Sequence, residues 1–227
     1  MPSTPPDSKR TVIVIAGGDP LLTRALMDLP DDAFIIAADS GLDHALAGGL
    51  RPDLVVGDLD SVSEKSLNWA RAARVPIDEY PPDKDMTDTE LALASALARG
   101  APHVILLGGG GDRLDHSIGA VTALGHASLA ICASVSARWG TAEVHVMHGP
   151  RTVTLPVRTE TTFSLLALHG ICTGVYVRGA RWPLMDATLV AGSSLGVSNT
   201  ATSSEIHIDV HSGALTVIFP TQFGGPQ

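Results

Sequence analysis

Basic residues are scarce: 15 Lys and Arg stand against 24 Asp and Glu, for a formal net charge of −9. No block of Lys or Arg forms a stripe that could follow a phosphate backbone, which argues against a nucleic-acid partner. Cysteine is nearly absent. Cys132 and Cys172 each lie in an apolar context and read as buried thiols, so nothing points to an oxidising compartment. No uninterrupted apolar run reaches the roughly 18 residues of a membrane span, and residues 1–10, with three prolines and no apolar stretch, do not read as a signal peptide. The expectation is a soluble, cytoplasmic protein with no membrane partner and a disordered stretch at residues 1–10. Several catalytic signatures are missing too. Without a Gly-x-Ser-x-Gly elbow a serine-hydrolase reading fails, and without a Cys/His ligand set a zinc site is not expected.

What is present is an alternation of apolar runs and helical patterns. Residues 11–16 (TVIVIA) form a β-branched run that stops at Gly17-Gly18-Asp19-Pro20, and residues 21–29 read as a helix. The unit repeats with a strand at 34–38, the turn Asp39-Ser40-Gly41 and a helix over 42–46. A third strand at 54–56, a helix at 64–73 and a short strand at 75–77 follow. Thr87 and Glu90 have capping-box spacing, so a helix starts there and runs to Gly100, with Asp88 in its first turn. A fifth strand at 104–107 leads through Gly108–Gly111 into a helix from about 113 to 125, and a sixth strand is expected at 129–133. Such alternation predicts a mostly parallel sheet covered on both faces. From about residue 143 the pattern changes to short β runs at 143–147, 151–155, 162–167, 174–177, 204–210 and 214–219. These predict a separate antiparallel sandwich or partly closed barrel. The fold class is thus an α/β N-terminal domain over 11–140 and a C-terminal all-β sandwich over 141–227, with the boundary near 136–148.

The stretch Val55-Val56-Gly57-Asp58-Leu59-Asp60-Ser61 ends an apolar strand in two carboxylates two residues apart, which period-2 geometry sends to the same side. Such a pair suits a hard cation, though acidic residues after a strand also serve as turn formers and helix caps. Its company favours the cation. Along the carboxyl edge of the first domain lie Gly17-Gly18-Asp19, Asp39-Ser40-Gly41, residues 83–90 and residues 108–116, and that edge is where open α/β sheets bind ligands. Carboxylates mixed with glycine turns suit a phosphorylated ligand when Mg²⁺ stands between them, and Asp58, Asp60 and Asp88 are the ligand candidates. The glycine run lets backbone N–H groups approach a phosphate ahead of a helix N-terminus, with Arg113 as the charged fork. It is neither a Walker A loop nor Gly-x-Gly-x-x-Gly, because residue 113 is Arg. Lys84 either reaches a phosphate or balances Asp83 and Asp85, and His116 is either a hydrogen-bonded structural histidine or a ligand or base.

Four motifs in order, Ala38-Asp39-Ser40-Gly41, Gly57-Asp58-Leu59-Asp60-Ser61, Lys84-Asp85-Met86-Thr87-Asp88-Thr89-Glu90 and Gly111-Asp112-Arg113-Leu114-Asp115-His116, resemble thiamine pyrophosphokinase. Gly179-Ala180-Arg181-Trp182-Pro183-Leu184 and Ser198-Asn199 resemble that family's C-terminal signatures, so the similarity runs from Arg10 nearly to the end. The resemblance implies an N-terminal nucleotide domain, a C-terminal thiamine-binding sandwich, and a homodimer with active sites between subunits. It implies transfer of the pyrophosphoryl group of ATP to the thiamine hydroxyl with release of AMP. Asp58, Asp60 and Asp88 would hold Mg²⁺; Asp39, Gly57, Lys84, Asp85, Gly108, Gly111, Arg113, Asp115 and His116 would line the ATP path. Trp182, Ser198 and Asn199 would border the thiamine pocket, where an indole can stack on the cationic thiazolium ring; a core or interface Trp is the other reading. The family often has an acidic residue after Ser-Asn, and this chain has Thr200.

Three rival readings stand beside it. Asp58-Leu59-Asp60-Ser61-Val62 also fits the Asp-x-Asp-x-Val of a haloacid-dehalogenase-type phosphatase, with Asp58 as nucleophile. The acceptor could be another heterocyclic alcohol such as a hydroxymethylpterin. A non-catalytic nucleotide sensor is the third.

Overall fold

The computed structural model describes residues 11–111 and 113–221. The stretch 1–10, expected to be disordered, and Asp112 of the fourth motif lie outside the described residues. Strands β1 (Thr11–Ile15), β2 (Phe34–Ala38), β3 (Leu54–Gly57), β4 (Ile77–Glu79), β5 (His103–Gly108) and β6 (Ser134–Trp139) are parallel neighbours in the order β6-β5-β1-β2-β3-β4. Helices α1 (Gly41–Ala47), α2 (Glu64–Ala72), α3 (Asp88–Ala98) and α4 (Leu114–Ala123) connect them.

The uniformly apolar strands follow from cover on both faces. Val12 and Val14 of β1 point into a core with Leu91, Ala92 and Ala96 of α3, while Ile13 and Ile15 meet Ala45 of α1 and Leu26 on the other side. At about 25 cal/mol per Å² of apolar surface, this two-sided burial is the main stabilising term of the domain.

Beyond β6 the chain turns through Gly140 and Thr141 into β7 (Ala142–His148), which pairs antiparallel with β6. It is followed by β8 (Arg151–Pro156), β9 (Thr162–Leu166), β10 (Cys172–Arg178), β11 (Leu184–Leu189), β12 (Asn199–Thr200), β13 (Glu205–Val210) and β14 (Ala214–Phe219). Strands β7, β14, β9 and β12 extend the first sheet to ten strands, and β11-β10-β13-β8 form a second sheet. Residues of both sheets, among them Phe163, Leu165, Val177, Ile208 and Val217, share one buried core, which makes the antiparallel half a sandwich. The sandwich is continuous with the parallel sheet. Val144 and Val146 of β7 face the first core while Met147 faces the second, so one strand serves both.

Local details depart from the sequence reading. Residues 21–29 hold only a short 3₁₀ turn, Thr23–Leu26, and the strand expected at 129–133 is the 3₁₀ turn Ala127–Ile131. The sixth parallel strand is Ser134–Trp139, whose Ser and Arg positions alternate with buried Val135 and Ala137. The fourth strand lies two residues beyond the expected 75–77, at Ile77–Glu79. Strands β11 and β12 add to the expected set.

Candidate active site

The carboxyl ends of β1, β2, β3 and β5 open onto a cavity of about 730 Å³. Asp39, Lys84, Asp88, Gly111, Arg113, Asp115 and His116 all line it, with Gly17, Gly18 and Gly110 from the turns after β1 and β5. Each group arrives there for a local reason. At Asp39 the backbone bends into the left-handed region (φ 47°) while its N–H still donates to Val56 at 2.8 Å, so β2 turns into α1 with the carboxylate held at the sheet edge. The capping box that starts α3 is formed: Thr87 Oγ1 accepts from Glu90 N–H at 3.2 Å and Glu90 Oε2 accepts from Thr87 N–H at 2.9 Å. That pins Asp88 at the first helical position.

Carboxylate oxygens of Asp39, Asp58 and Asp60 approach one another within 4.8 Å. The Lys84 ammonium lies 2.7 Å from Asp58 Oδ2 and 3.0 Å from Asp88 Oδ1. Hydrogen bonding to this ammonium holds the Asp58 carboxyl below the usual carboxylate range. Asp39 moves the other way. Burial pushes its carboxyl up, with Asp88 and Asp60 adding repulsion, and its Oδ1 has no hydrogen-bond partner among the described residues. Gly57 makes the packing possible: at φ 146° a Cβ there would lie 3.0 Å from Asp88 Oδ1 and 3.2 Å from Asp39 Cβ. On the opposite wall a Cβ on Gly109 would sit 2.0 Å from the Asp19 carbonyl oxygen, so the glycine run lets the β1 and β5 turns close on each other.

At the mouth Arg113 grips Asp115 with both ends of its fork, Nε to Oδ1 at 3.0 Å and Nη2 to Oδ2 at 2.7 Å. The guanidinium holds the Asp115 carboxyl well below the ordinary range. Asp85 is exposed and does not line the cavity, and Gly108 is buried at the end of β5 under the Trp139 ring.

Trp182, Ser198 and Asn199 are elsewhere. Asn199 on β12 is 2% exposed and its amide is spent on the backbone: Oδ1 accepts from Trp182 N–H at 3.1 Å and from Thr200 N–H at 2.8 Å, while Nδ2 donates to the Trp182 carbonyl at 2.7 Å. It anchors the loop that presents Trp182, a residue 53% exposed, with the Arg181 guanidinium 5.0 Å from the centre of its ring. Ser198 takes a left-handed conformation (φ 59°), and its N–H donates to Ser164 Oγ at 3.1 Å. In the sheet order β12 stands five strands from β5 and eight from β3, about 24 and 38 Å at the usual strand spacing.

Of the histidines, His207 and His211 have His-x-x-x-His spacing but do not converge. His207 lies on a strand, where four residues span about 13 Å, and its ring meets Thr154 Oγ1 at 2.9 Å and Glu205 Oε1 at 3.3 Å.

An open α/β sheet whose carboxyl edge joins clustered carboxylates, a lysine and glycine turns is the kind of edge at which α/β proteins bind phosphorylated ligands. Residues 28–133 match the family model for the thiamin pyrophosphokinase catalytic domain, and residues 145–215 match that for the thiamin pyrophosphokinase vitamin B1 binding domain. The chain belongs to the thiamin pyrophosphokinase family. It is similar to the thiamine pyrophosphokinase of Bacillus subtilis, 25% identical over 215 residues that cover 93% of this chain and 99% of that one. The crystal structure of the B. subtilis protein superposes with a TM-score of 0.79 at 23% identity, over 93% of this chain and 99% of the other. The yeast thiamin pyrophosphokinase structure has the same fold at 15% identity, with a TM-score of 0.70 over 92% of this chain and 86% of the other.

Proposed function

We propose that the protein transfers the pyrophosphoryl group of ATP to the hydroxyl of thiamine, giving thiamine diphosphate and AMP, with Mg²⁺ as cofactor. The observation that carries this reading is the crowding of Asp39, Asp58, Asp60 and Asp88 at one sheet edge beside glycine turns suited to phosphates. The donor set fits the ion, since Mg²⁺ takes oxygen ligands and Asp39 Oδ1 is a buried carboxylate oxygen with no hydrogen-bond partner among the described residues. Asp58, Asp60 and Asp88, joined by Asp39, would hold it, and when bound it supplies charge neutralisation for the phosphates.

The chain's own groups do the rest. Backbone N–H groups at residues 17–18 and 110–111, with the N-terminus of α4, receive phosphate oxygens. Arg113, aimed by Asp115, faces the charge that grows on the transferring group, and the cavity walls hold the acceptor hydroxyl in line. Trp182 offers its exposed face to the thiazolium ring, and Asn199 fixes the loop that carries it.

The separation of Trp182 from the carboxylates supports a homodimer, because groups more than about 20 Å apart along a sheet cannot touch one thiamine. We assign residues 11–140 to the nucleotide half and 141–227 to the thiamine-binding and dimerising half. Both cysteines are unpaired and buried, which fits a reducing cytoplasm. Among the described residues no helix is long and apolar enough to cross a membrane.

Incubation with ATP, Mg²⁺ and thiamine should yield AMP and thiamine diphosphate in equal amounts. ADP or free phosphate would replace this reading with a kinase or phosphatase, and ATP binding without turnover would leave the sensor.

A further inference from the structure

Two adjacent residues of α1, Asp43 and His44, reach in different directions along the carboxyl edge. The ring of His44 donates from Nε2 to the Gly18 carbonyl at 2.8 Å, which ties α1 to the glycine turn after β1. Asp43 reaches the other way, to the N-terminus of α2. Its Oδ2 accepts from the Ser63 N–H at 2.9 Å, and its Oδ1 accepts from the Ser63 hydroxyl and from Ser66 Oγ at 2.6 Å. Ser63 is the N-cap of α2 and accepts from the Ser66 N–H at 3.2 Å. Burial opposes ionisation of Asp43, yet the bonds from Ser63 and Ser66 outweigh it and keep the carboxyl below its ordinary range.

The consequence lies in what this network brackets. The loop from Gly57 to Ser63 carries Asp58 and Asp60 and includes Leu59 in a left-handed conformation (φ 66°). One end is fixed by β3 and the other by Ser63. Asp43 sits four residues after Asp39 on the helix that Asp39 introduces. The tie from Asp43 to Ser63 therefore sets the distance between Asp39 on one side and Asp58 and Asp60 on the other. We propose that Asp43 is a positioning residue for the cation site: it touches neither cation nor substrate, and it holds the Asp58–Asp60 loop in register with Asp39. This rests on the reading of the carboxylate cluster as a cation site.

The test is Mn²⁺ binding to the full-length protein, followed by electron paramagnetic resonance, with Mn²⁺ alone as probe. Asp43→Ala should stay folded by circular dichroism and bind Mn²⁺ about tenfold more weakly, because the fixed geometry that makes a site tight is lost. Asp43→Asn, which keeps the shape and one acceptor, should recover part of the affinity. Ser66→Ala removes one bond of the network and should weaken binding about threefold, which keeps the test open if Asp43→Ala does not fold. Asp53→Ala is the control. Asp53 Oδ2 accepts from the Ile35 N–H at 2.9 Å near the start of the same strands, at the other sheet edge, so its loss should cost stability and leave Mn²⁺ affinity unchanged. Affinity within twofold of wild type in a folded Asp43→Ala, or an equal loss in Asp53→Ala, overturns the positioning role. A wild type that binds no Mn²⁺ overturns the cation site, and this proposal with it.

Discussion

Lys84 donates to Asp58 at 2.7 Å, joining the segment before α3 to the loop after β3 with side chains only 12% and 11% exposed. The pair is charged on both sides over a wide range. The Asp58 carboxyl is lowered, so its contribution is present above about pH 4 and lost only as pH falls through its folded pKa. For Lys84 burial lowers the pKa, but the bonds to Asp58 and Asp88 outweigh it and leave a net rise, so its contribution persists until pH climbs past about 10. At neutral pH the ammonium is the charge that offsets the crowded carboxylates. In Lys84→Met they face one another uncompensated, so the melting temperature should fall at pH 7.5, by several degrees for a chain of this size. Millimolar Mg²⁺ should then raise the melting temperature of the variant more than that of the wild type, since a ligand that binds only the folded state stabilises it by mass action. Equal Mg²⁺ shifts in the two proteins would remove Lys84 from the electrostatics of the site.

The distance between Trp182 and the carboxylates gives a sharper test of assembly. If each active site takes its carboxylates from one protomer and Trp182 from the other, Asp58→Asn and Trp182→Ala should each be nearly inactive alone. Mixed after dissociation and reassociation in equal amounts, they should recover about a quarter of wild-type activity, because half the dimers are hybrids with one intact site in two. No recovery from a mixture shown by native mass spectrometry to contain hybrids would place both halves of a site in one chain.

How much of this was legible in sequence depends on whether a feature is local. The strand TVIVI at Thr11–Ile15 was legible because burial on both faces leaves no polar position after Thr11, and the Thr87–Glu90 capping box because it is complete within four residues. Asp58 and Asp60 were legible as a pair at a strand end, but not by strand periodicity: β3 stops at Gly57 and Leu59 is left-handed (φ 66°), so the loop rather than the pleat brings their oxygens together. The strand Ser134–Trp139 was not, because its Ser and Arg positions break the apolar run, while the apolar residues 129–131 made a 3₁₀ turn that leaves Ile131 79% exposed. The meeting of Asp39 with Asp58 and Asp60, the reach of Lys84 to Asp58 and the inward-turned amide of Asn199 are products of tertiary approach, and no spacing encodes them; the contact of Lys84 with Asp88, four residues on, is the local half of its engagement. The network of Asp43 with Ser63 and Ser66 is equally invisible to spacing, although Ser63 just before Glu64 is a legible N-cap signal.

Two histidines fasten the far end of α4 to the sandwich. His148 on β7 meets the Leu124 carbonyl at 3.2 Å; a carbonyl only accepts, so Nε2 carries the proton. His169, after β9, covers Gly125 so closely that a Cβ there would lie 2.1 Å from its ring, and it bonds Thr216 Oγ1 on β14 at 3.0 Å. Burial lowers the pKa of both; the charge of Arg151 adds to this at His148, and His148 adds to it at His169. In the unfolded chain these rings take up protons below about pH 6.5, whereas in the fold they resist. The unfolded state thus binds more protons in that window, and stability falls as pH drops from about 6.5 toward the folded pKa values, by up to about 1.4 kcal/mol per pH unit for each ring. The expected result is a melting temperature that declines between pH 7 and pH 5.5 more steeply in the wild type than in the double variant His148→Gln, His169→Gln. That variant keeps a donor near Leu124 and titrates at neither position, so parallel declines would assign the acid sensitivity to other groups and leave the two rings as packing alone.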